Sequence, residues 1–168
     1  MAYQSRTRVN SMNKGLIETF GSVQFVDRIA SGSTLTLDPS LHAGKTILLD
    51  TAAGSVVTLP AGASELLGLQ FKFVVSVLAT SNSHIIQVAN ASDIMVGSIA
   101  TVDTDTADAY ASFATTSTSD TITLNRSTTG SVRTGETITA EYVATNRWLI
   151  DGIVFVTGAP ATPFSAAV

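Results

Sequence analysis

From Thr34 onward, apolar residues occupy alternate positions in short runs, and Gly, Asn, Asp and Pro separate one run from the next. A period of two turns every second side chain to the same face, so each run predicts a half-buried strand. The clearest is Leu69, Phe71, Phe73, Val75 and Val77, facing opposite to Gln70, Lys72 and Ser76. Leu35 and Leu37 alternate with Thr. Ile47 to Leu49 and Val56 to Leu59 flank Asp50-Thr51-Ala52-Ala53-Gly54, which reads as a hairpin-like connection. Ile85, Ile86 and Val88 form another apolar run, followed by Ile94 to Ile99. Ile122 and Leu124 alternate with Thr121 and Thr123, and Ile138, Ala140 and Tyr142 share a face. Trp148 shares its phase with Ile150, Val154 and Val156, which places it in the core rather than on a ligand platform. In this part of the chain only Ala63 to Leu67, after Pro60, carries a helical pattern, and it is one or two turns long.

About eight to ten short strands with a turn every 8 to 12 residues predict an all-β fold. The expectation is a single antiparallel β-sandwich or barrel, jelly-roll-like, over residues 31–168, with an extended tail from about residue 158. Pro160 and Pro163 fix φ and remove donors, so that tail is drawn out, either covering a sheet edge or reaching a neighbouring subunit through Phe164. Residues 1–30 differ. They hold Arg6, Arg8, Lys14 and Arg28, four of the nine basic residues, against Glu18 and Asp27, and read as an arm. Within it Val9 to Phe20 has a short helical pattern that Gly15 and the nearby Asn residues weaken.

Composition narrows the function. Of 168 residues, 24 are Thr and 19 Ser, while only 13% are charged, against a typical ~25%. Thr is β-branched and suits a strand, and its hydroxyl makes an outward face polar without charge. Such a face costs less to bury than Lys or Glu when another subunit packs on it. A net charge of −4 gives the whole molecule no general attraction to phosphate, and nucleic acid is not an expected partner. With no cysteine, disulfides, zinc–thiolate sites and thiol catalysis are excluded. The most apolar stretch, Leu66 to Ala79, is interrupted by Gln70, Lys72 and Ser76, so no membrane span is expected. The first residues, Met-Ala-Tyr-Gln-Ser-Arg-Thr-Arg, have no apolar core of a secretory signal.

Catalytic chemistry finds few candidates. The two histidines are His42, in what reads as a loop before a strand, and His84, at the start of an apolar run; turn or surface positions are the expectation for both. Neither accompanies a Gly-x-Ser-x-Gly elbow. Asp103, Asp105 and Asp108 are spaced so that they offer carboxylates to a hard cation, but the stretch departs from the EF-hand template and reads as a solvated loop. No Gly-rich phosphate loop occurs, and one Trp with three Tyr is sparse for a carbohydrate cleft. No enzyme, cofactor or metal is expected.

Leu41-His42-Ala43-Gly44-Lys45-Thr46-Ile47-Leu48-Leu49, Ala53-Gly54-Ser55-Val56-Val57-Thr58-Leu59-Pro60-Ala61 and Phe71-Lys72-Phe73-Val74-Val75 form an ordered series. It continues through Asp93 to Gly97, Trp148-Leu149-Ile150-Asp151-Gly152, Thr157-Gly158 and Thr162-Pro163-Phe164. In that order, over about residues 40–165, the chain resembles the small β-rich head decoration or cement proteins of tailed bacteriophages. The resemblance implies a virion protein on the outer surface of the capsid, made in the host cytoplasm, that clamps neighbouring major capsid protein subunits and carries no catalytic residues. It also implies a homo-oligomer, with a trimer favoured over a dimer. The arm lies outside the resemblance, and Tyr3, Arg6, Arg8, Lys14 and Phe20 are its candidate capsid-binding residues, with Phe164 the candidate subunit contact. The alternative is a receptor-binding or appendage domain of a capsid or tail fibre, although no heptad or repeat marks a stalk. A secreted enzyme or carbohydrate-binding sandwich is disfavoured by the missing signal and few aromatics.

Overall fold

The computed structural model describes residues 27–105 and 110–168. In chain order the elements begin with β1 (Arg28–Ala30), β2 (Thr34–Thr36), a single-turn helix α1 (Pro39–His42), β3 (Thr46–Leu49) and β4 (Val56–Thr58). A 3-10 turn (Ser64–Leu66) follows, then β5 (Gln70–Val75), β6 (His84–Gln87), β7 (Ile94–Asp103) and β8 (Tyr110–Ala114). The chain ends with β9 (Thr121–Leu124), β10 (Thr137–Ala144), β11 (Arg147–Val156) and β12 (Phe164–Ser165). The 3-10 turn is the short helical signal expected after Pro60. The strands form an all-β sandwich of a seven-stranded sheet, β1-β3-β5-β10-β11-β7-β8, and a five-stranded sheet, β12-β9-β6-β4-β2.

The alternation seen in the sequence is the alternation of burial. Phe71, Phe73 and Val75 are buried, as are Ile138, Ala140 and Tyr142, and Trp148, Ile150, Val154 and Val156. Across the seven-stranded sheet, register sets Ile47, Phe73, Ile138, Gly152 and Ile99 side by side on the inner face. Across the other sheet Leu35, Val57, Ile86, Ile122 and Phe164 do the same. These two rows close on each other as one core, in which Tyr142 meets Trp148 edge-on at 5.1 Å and Phe71 lies 6.1 Å from Trp148.

Direction differs from expectation. The sheets are mixed, not antiparallel, and the chain does not run as a jelly roll. β1, β3 and β5 are parallel in one sheet and β2, β4 and β6 parallel in the other, so the first six strands alternate between sheets as three stacked coils. The segment Asp50 to Gly54 is therefore an arch between sheets and not a hairpin: β3 and β4 lie in different layers. Gly54, at φ +95, sits so close to the next arch that a Cβ would meet the Ser83 carbonyl at 2.5 Å. Stacking the arches leaves backbone polar groups at the bends with no ladder partner, and side chains take them up. Asn82 Nδ2 donates to the Ala53 carbonyl at 3.0 Å, and the Gly32 N–H to Asp50 Oδ1 at 2.9 Å.

Two boundaries also move. Arg28–Ala30, assigned by sequence to the arm, is an edge strand paired with Thr46–Leu48, because three residues with only Ile29 turned inward leave almost no periodic signal. The loop around His42 contains α1, whose start is capped by Asp38 Oδ1 accepting from the Ser40 N–H at 2.8 Å.

Candidate functional site

Two histidine-centred arrangements can be judged for chemistry. The first was not legible as a cluster: the stacked arches bring Ser31, Asp50, Ser55 and His84 together at one edge of the sandwich. Ser31 Oγ donates to Ser55 Oγ at 3.0 Å and lies 3.4 Å from Asp50 Oδ1. The residue types are those of a nucleophile, a base and an orienting acid, but the wiring is not. His84 Nδ1 accepts from the Ser55 backbone N–H at 3.1 Å, and Nε2 donates to the Val77 carbonyl at 2.9 Å, so both ring nitrogens are used by backbone. A general base needs a ring nitrogen facing the hydroxyl it deprotonates. This is a structural spine, and His84, expected in a turn or on the surface, is fully buried within it. The signal that reveals this is its phase: His84 alternates inward with Ile86 and Val88.

Burial pushes the His84 imidazole below its ordinary value of 6.5, against the opposing pull of the Val77 carbonyl and the Asp50 charge. The folded pKa is then the lower one, so His84's contribution to stability is complete above 6.5 and falls away as pH drops below it, where the unfolded chain binds a proton that the fold refuses. Urea unfolding of wild type and His84→Gln is expected to show a gap that narrows between pH 7 and pH 5. A gap independent of pH would contradict a neutral buried imidazole. The second histidine, His42, accepts from the Asp38 N–H through Nδ1 at 2.8 Å and helps close α1.

Acidic candidates resolve into structural roles. Asp103 is buried at the end of β7 with Oδ1 accepting from the Asp105 N–H at 3.1 Å, and Asp105 Oδ2 accepts from the Gly158 N–H at 2.8 Å. Asp108 lies outside the described residues, among which no group of three or more His, Cys, Asp or Glu is arranged to hold a metal ion. Asp93 is buried, with Oδ2 accepting from the Gly62 N–H and Asn90 Nδ2, each at 2.9 Å. Glu136 is also buried, and accepts from the N–H groups of Ser131 and Val132 at 2.7 Å and of Arg133 at 2.9 Å. Burial raises its pKa, while these donors pull it back.

Phe164, the expected subunit contact, is used inside its own domain. It pairs with Ile122 in the antiparallel β12–β9 ladder and closes the core at 8% exposure. Asp120 fixes the residues beyond it, accepting from the Ala167 N–H at 2.8 Å. Of the two readings of the tail, the structure has the one that covers a sheet edge. Tyr3, Arg6, Arg8, Lys14 and Phe20, with the helical pattern of Val9 to Phe20, lie outside the described residues.

What remains is surface. No strand of the five-stranded sheet contains Asp, Glu, Lys or Arg. Its outer side carries Thr34, Val56, Ile85 and Thr123 in one cross-strand row and Thr36, Thr58 and Gln87 in the next. Gln87 Nε2 donates to Thr58 Oγ1 at 3.4 Å, linking neighbours within the row. Of the 21 Thr among the described residues nine lie on strands, and Thr101 and Thr121 of these are buried, so the outward Thr of this sheet accounts for only part of the excess.

The outer side of the seven-stranded sheet mixes apolar and charged positions, with Arg28, Lys72, Glu141, Arg147 and Asp151 among its outward residues. Ile153 is 52% exposed, Leu149 41% and Tyr110 70%, flanked by Leu48, Val74, Val96 and Ala100. One row crosses the whole sheet: Arg28, Thr46, Lys72, Thr139, Asp151, Ser98 and Ala114. At its β1 edge an open groove of about 490 Å³ is lined by Lys45, Thr46, Gly68, Gln70 and Lys72, with Lys45 ion-paired to Asp27 at 3.6 Å. No helix among the described residues is long and apolar enough to cross a membrane. No family model matches the chain, and neither a curated protein nor a solved structure matches it.

Proposed function

We propose that this chain is an assembly module of a virion: a decoration or cement protein that binds the outer surface of a tailed-phage head and bridges major capsid protein subunits. The observation that carries the reading is the five-stranded sheet, whose strands hold no charged residue. A flat side of Thr, Val, Ile and Gln desolvates cheaply against another protein, where Lys or Glu would resist burial. Residues 27–168 hold six basic and twelve acidic residues, while residues 1–26 hold Arg6, Arg8 and Lys14 against Glu18. That opposition of sign supports a division of labour in which the arm pairs with carboxylates of the shell, with Tyr3 and Phe20 filling apolar gaps, and the sheet covers the subunit boundary. A protein that binds only the assembled shell stabilises it by mass action, without any chemistry of its own.

One observation favours the alternative, an appendage domain of a capsid or tail fibre: the parallel coils of β1 to β6 stack in the manner by which solenoids build elongated bodies. Counting copies on expanded empty capsids of the encoding virus by electron microscopy separates the two. Stoichiometric occupancy at lattice axes is expected, with at least a tenfold loss of affinity for Thr58→Glu and for a chain lacking residues 2–20. Occupancy only at a vertex or tail selects the appendage, and no binding overturns both.

A further inference from the structure

We infer that the outer face of the seven-stranded sheet is a two-fold contact between copies of this chain. The inference goes beyond the assembly reading, which uses the five-stranded sheet, and stands on this face alone. It names the partner as a second copy.

Charges along the row that crosses the sheet stand in a symmetric order. Lys72 on β5 and Asp151 on β11 stand on either side of Thr139 on β10, each one strand away. Strands are about 4.8 Å apart, so the two charges flank β10 symmetrically at roughly 10 Å from each other. A two-fold axis lying in the interface along β10 exchanges the two sides. It lays Lys72 of each copy over the partner's Asp151, and Thr139 over its own counterpart. The same operation sets Val74 against Ile153 and Leu48 against Ala100 in the next row, apolar on apolar. It sets Thr46 against Ser98 in the first. Packed sheets stand about 10 Å apart, a gap that a lysine and an aspartate span together.

Size agrees. Five central strands of about eight residues present roughly 600 Å² in plan, and their pleated surface approaches the ~800 Å² per partner of a stable interface. Ile153 and Leu149 supply apolar contact for its centre. A contact of one face with itself is isologous and generates a dimer, whereas a three-fold contact joins two different patches. The charge order of this row thus supports a dimer where the sequence favoured a trimer. One feature opposes the pairing: Glu141, on β10 two residues from Thr139 and in the same row as Leu149, meets its own counterpart on the axis.

Sedimentation equilibrium of the full chain at micromolar concentration tests this. A dimer is expected. Ile153→Glu, at a half-exposed position the fold tolerates, should weaken it at least tenfold. Lys72→Glu and Asp151→Lys should each weaken it, the double exchange should restore it, and Glu141→Gln should tighten it, with unchanged circular dichroism throughout. A monomer, a trimer, or a double exchange no better than either single one overturns the inference. Dimers that leave capsids bare sink the decoration reading alone, and decoration by a monomer sinks this one alone.

Discussion

Replacing Glu136 with leucine is expected to lower the unfolding free energy by about 4 kcal/mol, since each of its three backbone donors left without an acceptor costs roughly 1–3 kcal/mol according to its burial. The carboxylate sits at the mouth of the loop between β9 and β10. Gly130 at φ +120 and Ser131 at φ +64 turn the backbone so that the N–H groups of residues 131 to 133 converge on it. Asn125 secures the other end of the loop, accepting from the N–H groups of Ser127 at 3.0 Å and Thr129 at 3.1 Å. Leucine matches the volume but offers no acceptor, and the loop must open to hydrate its donors. Glutamine keeps one carbonyl oxygen and should lose about half as much. Chemical unfolding of both variants measures this, and a leucine variant within 1 kcal/mol of wild type would show that the loop folds without its carboxylate.

Gly97→Ala should be comparably severe, on the order of 4 kcal/mol from backbone strain and overpacking together. Gly97 lies within β7 at φ +128, and an added Cβ would fall on the carbonyl oxygen of Ile150, its register partner in β11. That atom is backbone in the middle of a ten-residue parallel ladder and does not yield as a side-chain tip would. Gly44→Ala is the matched control, because Gly44 has φ +70 and nothing within 4 Å of the added carbon. Its cost should be the conformational strain alone, about 1–2 kcal/mol. Equal losses for the two would mean that β7 and β11 separate easily at Gly97.

The sequence made the faces readable and left directions open. Alternation through Phe71, Phe73 and Val75, or through Trp148 and Ile150, states which side chains turn inward, and the core contains them. It is indifferent to whether the neighbouring strand runs parallel or antiparallel. Asp50 to Gly54 has the composition of a tight turn, and the same residues serve an arch, because small and polar side chains suit any bend. What distinguishes the two is the next coil, where Ser55 and His84 are placed to satisfy the bend, and that pairing is long-range. Phe164 illustrates a related limit. Its flanking prolines announce an extended segment, yet the edge it covers is β9, some forty residues earlier in the chain. A scarcity of charge was legible from composition, but which sheet lacks it was not, and the Lys72–Thr139–Asp151 row exists only once three separated strands are in register.

The alternation of the first six strands between layers also decides how the molecule bears load. β1 and β2 are the outermost strands at one edge of the sandwich, and β12 closes the five-stranded sheet at the other. A pull applied between residue 27 and the last residue therefore runs across the strands, along the hydrogen bonds rather than along the backbone. Such a force peels edges in turn, three register pairs at β1 and two at β12, instead of shearing a whole ladder at once. A tether at the β1 edge would yield gently and re-form, while the ten-pair ladder between β7 and β11 stays whole in the interior of its sheet.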